Sequence, residues 1–184
     1  MANSSIVNGV YAFDFSKTNL AGDVIAKQDF LLALNNLVSQ FRFTVGDDRE
    51  ELLDVLHDDV LPTYFTDFQK SDLALSNLKS DVCYLSFDAA GRWAYHNNIS
   101  WLADNDLKTL ISPIENLVIT IDFNELADEI FIIEQVVHVQ NGEIVITTNE
   151  DNSEVLPITI DNLEKYDFYD CFDDDVLEQF GICE

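Results

Sequence analysis

Hydrophobic positions along the chain follow two periods, and the switches between them outline the fold. Val10 to Phe15 reads as an opening strand. From Phe30, apolar residues recur at Leu31, Leu34, Leu37, Val38 and Phe41, the spacing of a helix with one face on a core. Asp48 followed by Glu51 resembles a helix-capping pair, and Leu52, Leu53, Leu56 and Val60 continue a second helix that Pro62 should end. Val82 to Phe87 and Arg92 to His96 read as two strands joined through Asp88-Ala89-Ala90-Gly91. Leu117, Ile119, Ile121 and Phe123 share one face of a half-buried strand. Phe131 to Val139 and Glu143 to Thr148 flank Asn141-Gly142, a pair that tolerates the left-handed backbone of a tight hairpin. Strand, helices, several strands and a helical tail, in that order, predict an α+β fold. Its sheet is mainly antiparallel, with N-terminal helices and an acidic C-terminal helical segment.

The 184 residues, 47% of them hydrophobic, suit one domain with its own core. No Pro-, Gly- or Ser-rich linker divides 1–184, although two subdomains could meet near 111–113. No stretch approaches the ~20 apolar residues of a membrane span. Met1-Ala2-Asn3-Ser4-Ser5 lacks the cationic and apolar regions of a signal peptide. Cys83, Cys171 and Cys183 are odd in number and scattered, a poor disulfide framework. These features point to a cytoplasmic protein. Its abundance of Ile, Leu, Phe and Asn suits low-GC bacterial or viral coding, hence a bacterial host cell, and speaks against a salt-loving organism.

Charge changes the picture most. The chain holds 35 Asp+Glu against 9 Lys+Arg, a net charge of -26, well beyond the ~2–8 that keeps a small domain soluble. Residues 1–100 contain 14 acids and 7 bases; residues 101–184 contain 21 acids and 2 bases. Direct nucleic-acid binding is excluded, because affinity for phosphate comes from Lys and Arg. Anionic membrane surfaces are excluded by the same sign.

The search for chemistry is mostly negative. The six glycines never cluster into a phosphate-cradling loop. No serine sits in a nucleophile elbow. His57, His96 and His138 do not fall at metal-ligand spacing, so no metal or other cofactor is expected. Asn149-Glu150-Asp151-Asn152-Ser153-Glu154 begins like a calcium loop but lacks the sixth-position glycine and has Ile160 where the bidentate Glu belongs. Paired carboxylates for hydrolysis cannot be picked out of 35 acids by sequence. Around Gly91-Arg92-Trp93-Ala94-Tyr95-His96, exposed aromatics would make a protein-binding hot spot. The preferred reading is structural, with Trp93 and Tyr95 on one face of a strand.

From Asp161, acids recur at Glu164, Asp167, Asp170, Asp174 and Glu178, on one half of a helix, while Leu163, Tyr166, Tyr169, Phe172, Val176, Leu177 and Phe180 fall largely on the other. A charge of -26 equals that of roughly 44 Å of duplex DNA. In composition the chain is similar to the acidic DNA-mimic inhibitors that phages and plasmids direct against restriction enzymes or CRISPR effectors, although no motif carries that likeness. The expectation is therefore a non-enzymatic inhibitor that occupies the nucleic-acid groove of a basic protein. Its expected contacts are Asp161, Glu164, Asp167, Asp170, Asp173, Asp174, Asp175 and Glu178, with a second patch of Asp47, Asp48, Glu50, Glu51, Asp54, Asp58 and Asp59. The alternatives are an immunity protein or antitoxin capping a basic toxin, and a hydrolase with incidental acidity.

Overall fold

The computed structural model describes residues 4–38, 64–92, 95–98 and 105–169. Seven antiparallel strands form one sheet: β1 (Ser4–Asp14), β2 (Tyr64–Phe68), β3 (Val82–Arg92), β4 (Val118–Leu126), β5 (Ile130–Gln140), β6 (Glu143–Thr148) and β7 (Glu154–Leu156). They lie in the order β2-β3-β1-β4-β5-β6, and β7 pairs with the same outer edge of β5 beyond β6. The helices are α1 (Val24–Val38), α2 (Tyr95–Asn98), α3 (Asn105–Ile111) and α4 (Ile160–Lys165). This is the α+β arrangement read from the sequence. β1 pairs with both β3 and β4, so one sheet holds strands from both sides of 111–113.

One face of the sheet is the core. Tyr11, Phe13 and Phe15 from β1 and its continuation meet Phe30 of α1, Phe68 of β2, Phe87 of β3 and Phe123 of β4, all buried. Tyr11 meets Phe68 and Phe87 edge-on, with ring centroids 5.1 and 4.8 Å away, the geometry the ring quadrupole favours. α1 buries Phe30, Leu31, Leu34 and Val38, the residues its spacing singled out. Asp23 caps it by accepting from the N–H of Ala26 at 3.0 Å, satisfying one donor that the first turn leaves open. The buried Lys27 fastens α1 to the start of β3, reaching Asp81 at 3.0 Å and the Ser80 carbonyl at 2.6 Å.

The hairpin signal is realised in the β5–β6 turn, where Asn141 and Gly142 have φ of 54° and 73°. Both take the left-handed conformation that fits the twist of two tightly connected strands. The Glu115 carboxylate accepts from both turn N–H groups, at 2.8 and 3.3 Å.

Two expectations require correction. Asp88-Ala89-Ala90-Gly91 is not a turn but lies within the C-terminal half of the 11-residue β3. Its backbone is paired on both sides, with Ser5–Asn8 of β1 and Tyr64–Asp67 of β2, which outweighs the turn preference of its residues. Tyr95 does not continue a strand beside Trp93; it opens α2, fully buried, with its hydroxyl between those of Tyr11 and Thr66 at 3.0 and 2.8 Å. The expected helix over Asp48–Val60, His57, both tryptophans, Cys171 and Cys183 lie outside the described residues.

Candidate binding face

The other face of the sheet is built in rungs, because directly opposed residues of neighbouring strands share a face. An apolar rung runs through Ala90, Ile6, Leu126, Ile130 and Leu156. The next runs through Asp67, Asp88, Asn8, Asn124, Ile132 and Glu154. The third holds Ser86, Val10, Asp122 and Glu134, and the fourth Tyr84, Ala12, Thr120, Val136 and Thr147.

The C-terminal segment covers the apolar rung. Leu163 and Phe168 are buried against Leu126 and Ile130, with Ile6, Leu156, Ile158 and Tyr166 around them. Thr159 caps α4 by accepting from the Asn162 N–H at 3.2 Å. After Tyr166 the chain turns back: Asp167 takes φ 62°, its N–H reaches the Glu164 carbonyl, and the Phe168 N–H reaches the Leu163 carbonyl at 2.8 Å. That pairing, with Phe168 against Leu163, is a Schellman ending, built on Asp where glycine is usual. The helical row of acids therefore stops after Glu164 within the described residues. Asp161 and Glu164 stand exposed on one turn, and Asp167 points elsewhere, into the wall of a groove. Asn8 holds this turn on the sheet, donating to the Tyr166 carbonyl at 3.0 Å while accepting from Asn124 at 3.1 Å.

The groove, about 900 Å³, lies over the second and third rungs. Asn8, Asp88, Asp122, Asn124 and Glu134 form its polar floor; Lys165, Tyr166 and Asp167 line it on one side, and Asn152 and Gln69 elsewhere. The Lys165 ammonium stands 4.7 Å above the Tyr166 ring. Gly9, on the same floor, is required by close approach: a Cβ there would lie against the Asp122 carbonyl oxygen and 2.6 Å from the Phe123 Cβ.

Asp122 and Glu134 are directly opposed on β4 and β5. Partial burial first, then the charge of Glu134 and a carboxyl–carboxyl hydrogen bond to it, push Asp122 above the usual carboxylate range. Glu134 is fixed from its other side. The segment that begins like a calcium loop is a 3-10 turn over Glu150–Asn152, and the Asn149 and Asn152 side chains both donate to Glu134 Oε1. Those donors hold the Glu134 carboxylate in place beside Asp122. Among the described residues no group of three or more His, Cys, Asp or Glu is arranged to hold a metal ion, and no helix is long and apolar enough to cross a membrane.

A second polar cluster lies under the core face. Glu125 is fully buried and accepts from the N–H groups of Tyr95 at 2.5 Å and His96 at 3.1 Å, and from His96 Nδ1 at 2.6 Å. The Ser5 hydroxyl also accepts from the Tyr95 N–H, at 3.0 Å. Gln135 donates to the His96 carbonyl at 3.1 Å.

Of the acids expected at a partner interface, Asp161, Glu164 and Asp167 are the ones within the described residues. Asp170, Asp173, Asp174, Asp175, Glu178 and the patch Asp47, Asp48, Glu50, Glu51, Asp54, Asp58 and Asp59 lie outside them. Asp67, Asp88, Asp122 and Glu134 were missed. The alternation along β4 would have placed Asp122 opposite the apolar face, whereas its pairing with Glu134 needs the register. Comparison of the chain with protein-family models, curated proteins and solved structures finds no match.

Proposed function

We propose that the protein is an acidic inhibitor that occupies the nucleic-acid groove of a basic protein, presenting carboxylates where phosphates would lie. The observation that carries this reading is the way charge is divided across the sheet. Residues 4–38 and 64–92, which supply β1, β2 and β3, hold seven acids and five bases; residues 105–169, which supply β4 to β7, hold fourteen acids and two bases. In the strand order β2-β3-β1-β4-β5-β6 the change falls at the β1–β4 seam. Acids concentrated along the chain are thus also concentrated in space, which supports a directed electrostatic surface over a uniform solubilising coat. Carboxylates facing Lys and Arg of a target would speed association and exclude the target's own nucleic acid.

The test is a pull-down from bacterial lysate with stepwise salt elution, followed by a competition assay on whatever is retained. Retention of one nucleic-acid enzyme beyond ~0.5 M salt, where exposed charges are heavily screened, together with loss of its nucleic-acid binding, is the expected result. A smear of basic proteins released at modest salt, with no enzyme inhibited, would overturn the reading.

A further inference from the structure

Resting on the proposed reading, a more specific assignment follows for where the partner sits. The C-terminal turn covers the apolar rung and meets the second rung at Asn8, and the rest of the second and third rungs floors a groove among the described residues. Charge selects its occupant. Among the described residues, Asp88, Asp122, Glu134 and Asp167 line the groove with one cation, Lys165. That lysine lies over Tyr166, and among the described residues no cation pairs with Asp122 or Glu134. The groove also straddles the β1–β4 seam, where the sheet turns acidic.

We propose that this open face is the docking surface for a basic protein, which inserts an arginine or lysine side chain into the groove to pair with Asp122 and Glu134. Docking carries a proton balance. In molecules that hold a proton between the two carboxyl groups, that O–H bond breaks, the proton passes to solvent, and the incoming guanidinium or ammonium takes its place. The groups facing the pair are consistent with this exchange: Asp88 from β3, Lys165, Tyr166 and Asp167 from the C-terminal turn, and the uncharged Asn8 and Val10 from β1. Because Asp122 is raised above the ordinary carboxylate range, binding should weaken on acidification at pH values where ordinary carboxylates are still ionised.

The full chain is titrated with a nona-arginine peptide by calorimetry, at pH 7.5 and 5.5 and in buffers of differing ionisation enthalpy. The expected result is a lower affinity at pH 5.5 than at pH 7.5, with proton release on binding at the lower pH. Asp122→Asn combined with Glu134→Gln should weaken binding about tenfold at pH 7.5 and abolish the proton release. Asp128→Asn with Glu129→Gln, which removes the same charge from the β4–β5 turn, should change affinity less than about threefold. Equal losses in the two double variants, or unchanged proton release in the first, would overturn the assignment. The two readings fail separately. If a retained nucleic-acid enzyme binds the groove double variant as well as the native chain, the docking face is wrong and the inhibitor reading stands. If the peptide linkage holds but no enzyme is inhibited, the face stands and the inhibitor reading falls.

Discussion

Strand β4 carries two acids, Asp122 and Glu125, that face opposite sides of the same sheet, and their surroundings differ in kind. Glu125 points into the core, has no exposure, and is met by two backbone N–H groups and a histidine ring nitrogen. Asp122 points to the open face and is met by another carboxyl group. A buried acid surrounded by donors organises structure, since its hydrogen bonds replace those lost with water. An acid set against an acid does the reverse: it keeps unfavourable energy in the folded state that a cation can relieve. On this protein the first arrangement anchors α2 between β4 and β1, and the second floors a groove.

The strongest way to break that contrast is Glu125→Ala. It would leave the Tyr95 and His96 N–H groups and the His96 ring nitrogen, one buried and two partly buried, without this acceptor, at a cost of about 1–3 kcal/mol, read as a lower urea midpoint. Binding to a basic probe per folded molecule should be unchanged. A loss below about 1 kcal/mol would show that the cluster does not hold the fold, and the division of roles between the two faces would fail.

Gly9→Ala tests whether the two faces communicate through β4. An added Cβ on β1 would press on the Asp122 carbonyl and the Phe123 Cβ, displacing backbone that carries the groove acid on one side and a core aromatic on the other. Overpacking of this type costs about 1–3 kcal/mol. Both the unfolding midpoint and the peptide affinity should fall. A stability loss with native affinity would mean that the groove tolerates movement of its floor.

Gly9 also shows where the sequence stops being informative. Strand and helix existence followed from periodicity in β1, α1, β4, β5 and β6, and Asn141-Gly142 marked its hairpin, because those signals act within a few residues. Asp88-Ala89-Ala90-Gly91 misled because its strand state is imposed by partners about 80 residues earlier and 25 residues earlier in the chain. The end of α4 misled because Asp167 adopts a left-handed conformation that glycine more often signals. The acidic half of the chain was legible as composition. Which acids share a rung was not, since Asp122 and Glu134 meet only through the β4–β5 register, and Asp88 joins their groove only through β1.

Asp122→Asn gives the smallest stability effect and the sharpest test of the open face. A carboxyl raised in the folded state binds its proton more tightly there than in the unfolded chain, so folding is penalised once the pH exceeds both values. The penalty is complete above the raised folded value. It shrinks as pH falls through that value and is gone below the unfolded value near 4. Replacing the acid with a neutral isostere should therefore raise the melting temperature at pH 7.5, by less than about 3 °C because the site is exposed to solvent screening. The two proteins should converge as the pH approaches 4. The same substitution should weaken cation binding at pH 7.5, so stability and binding would move in opposite directions at one residue. If Asp122→Asn instead lowered the melting temperature at neutral pH, the carboxyl pair would be a stabilising feature of the sheet, and the contrast with Glu125 would disappear.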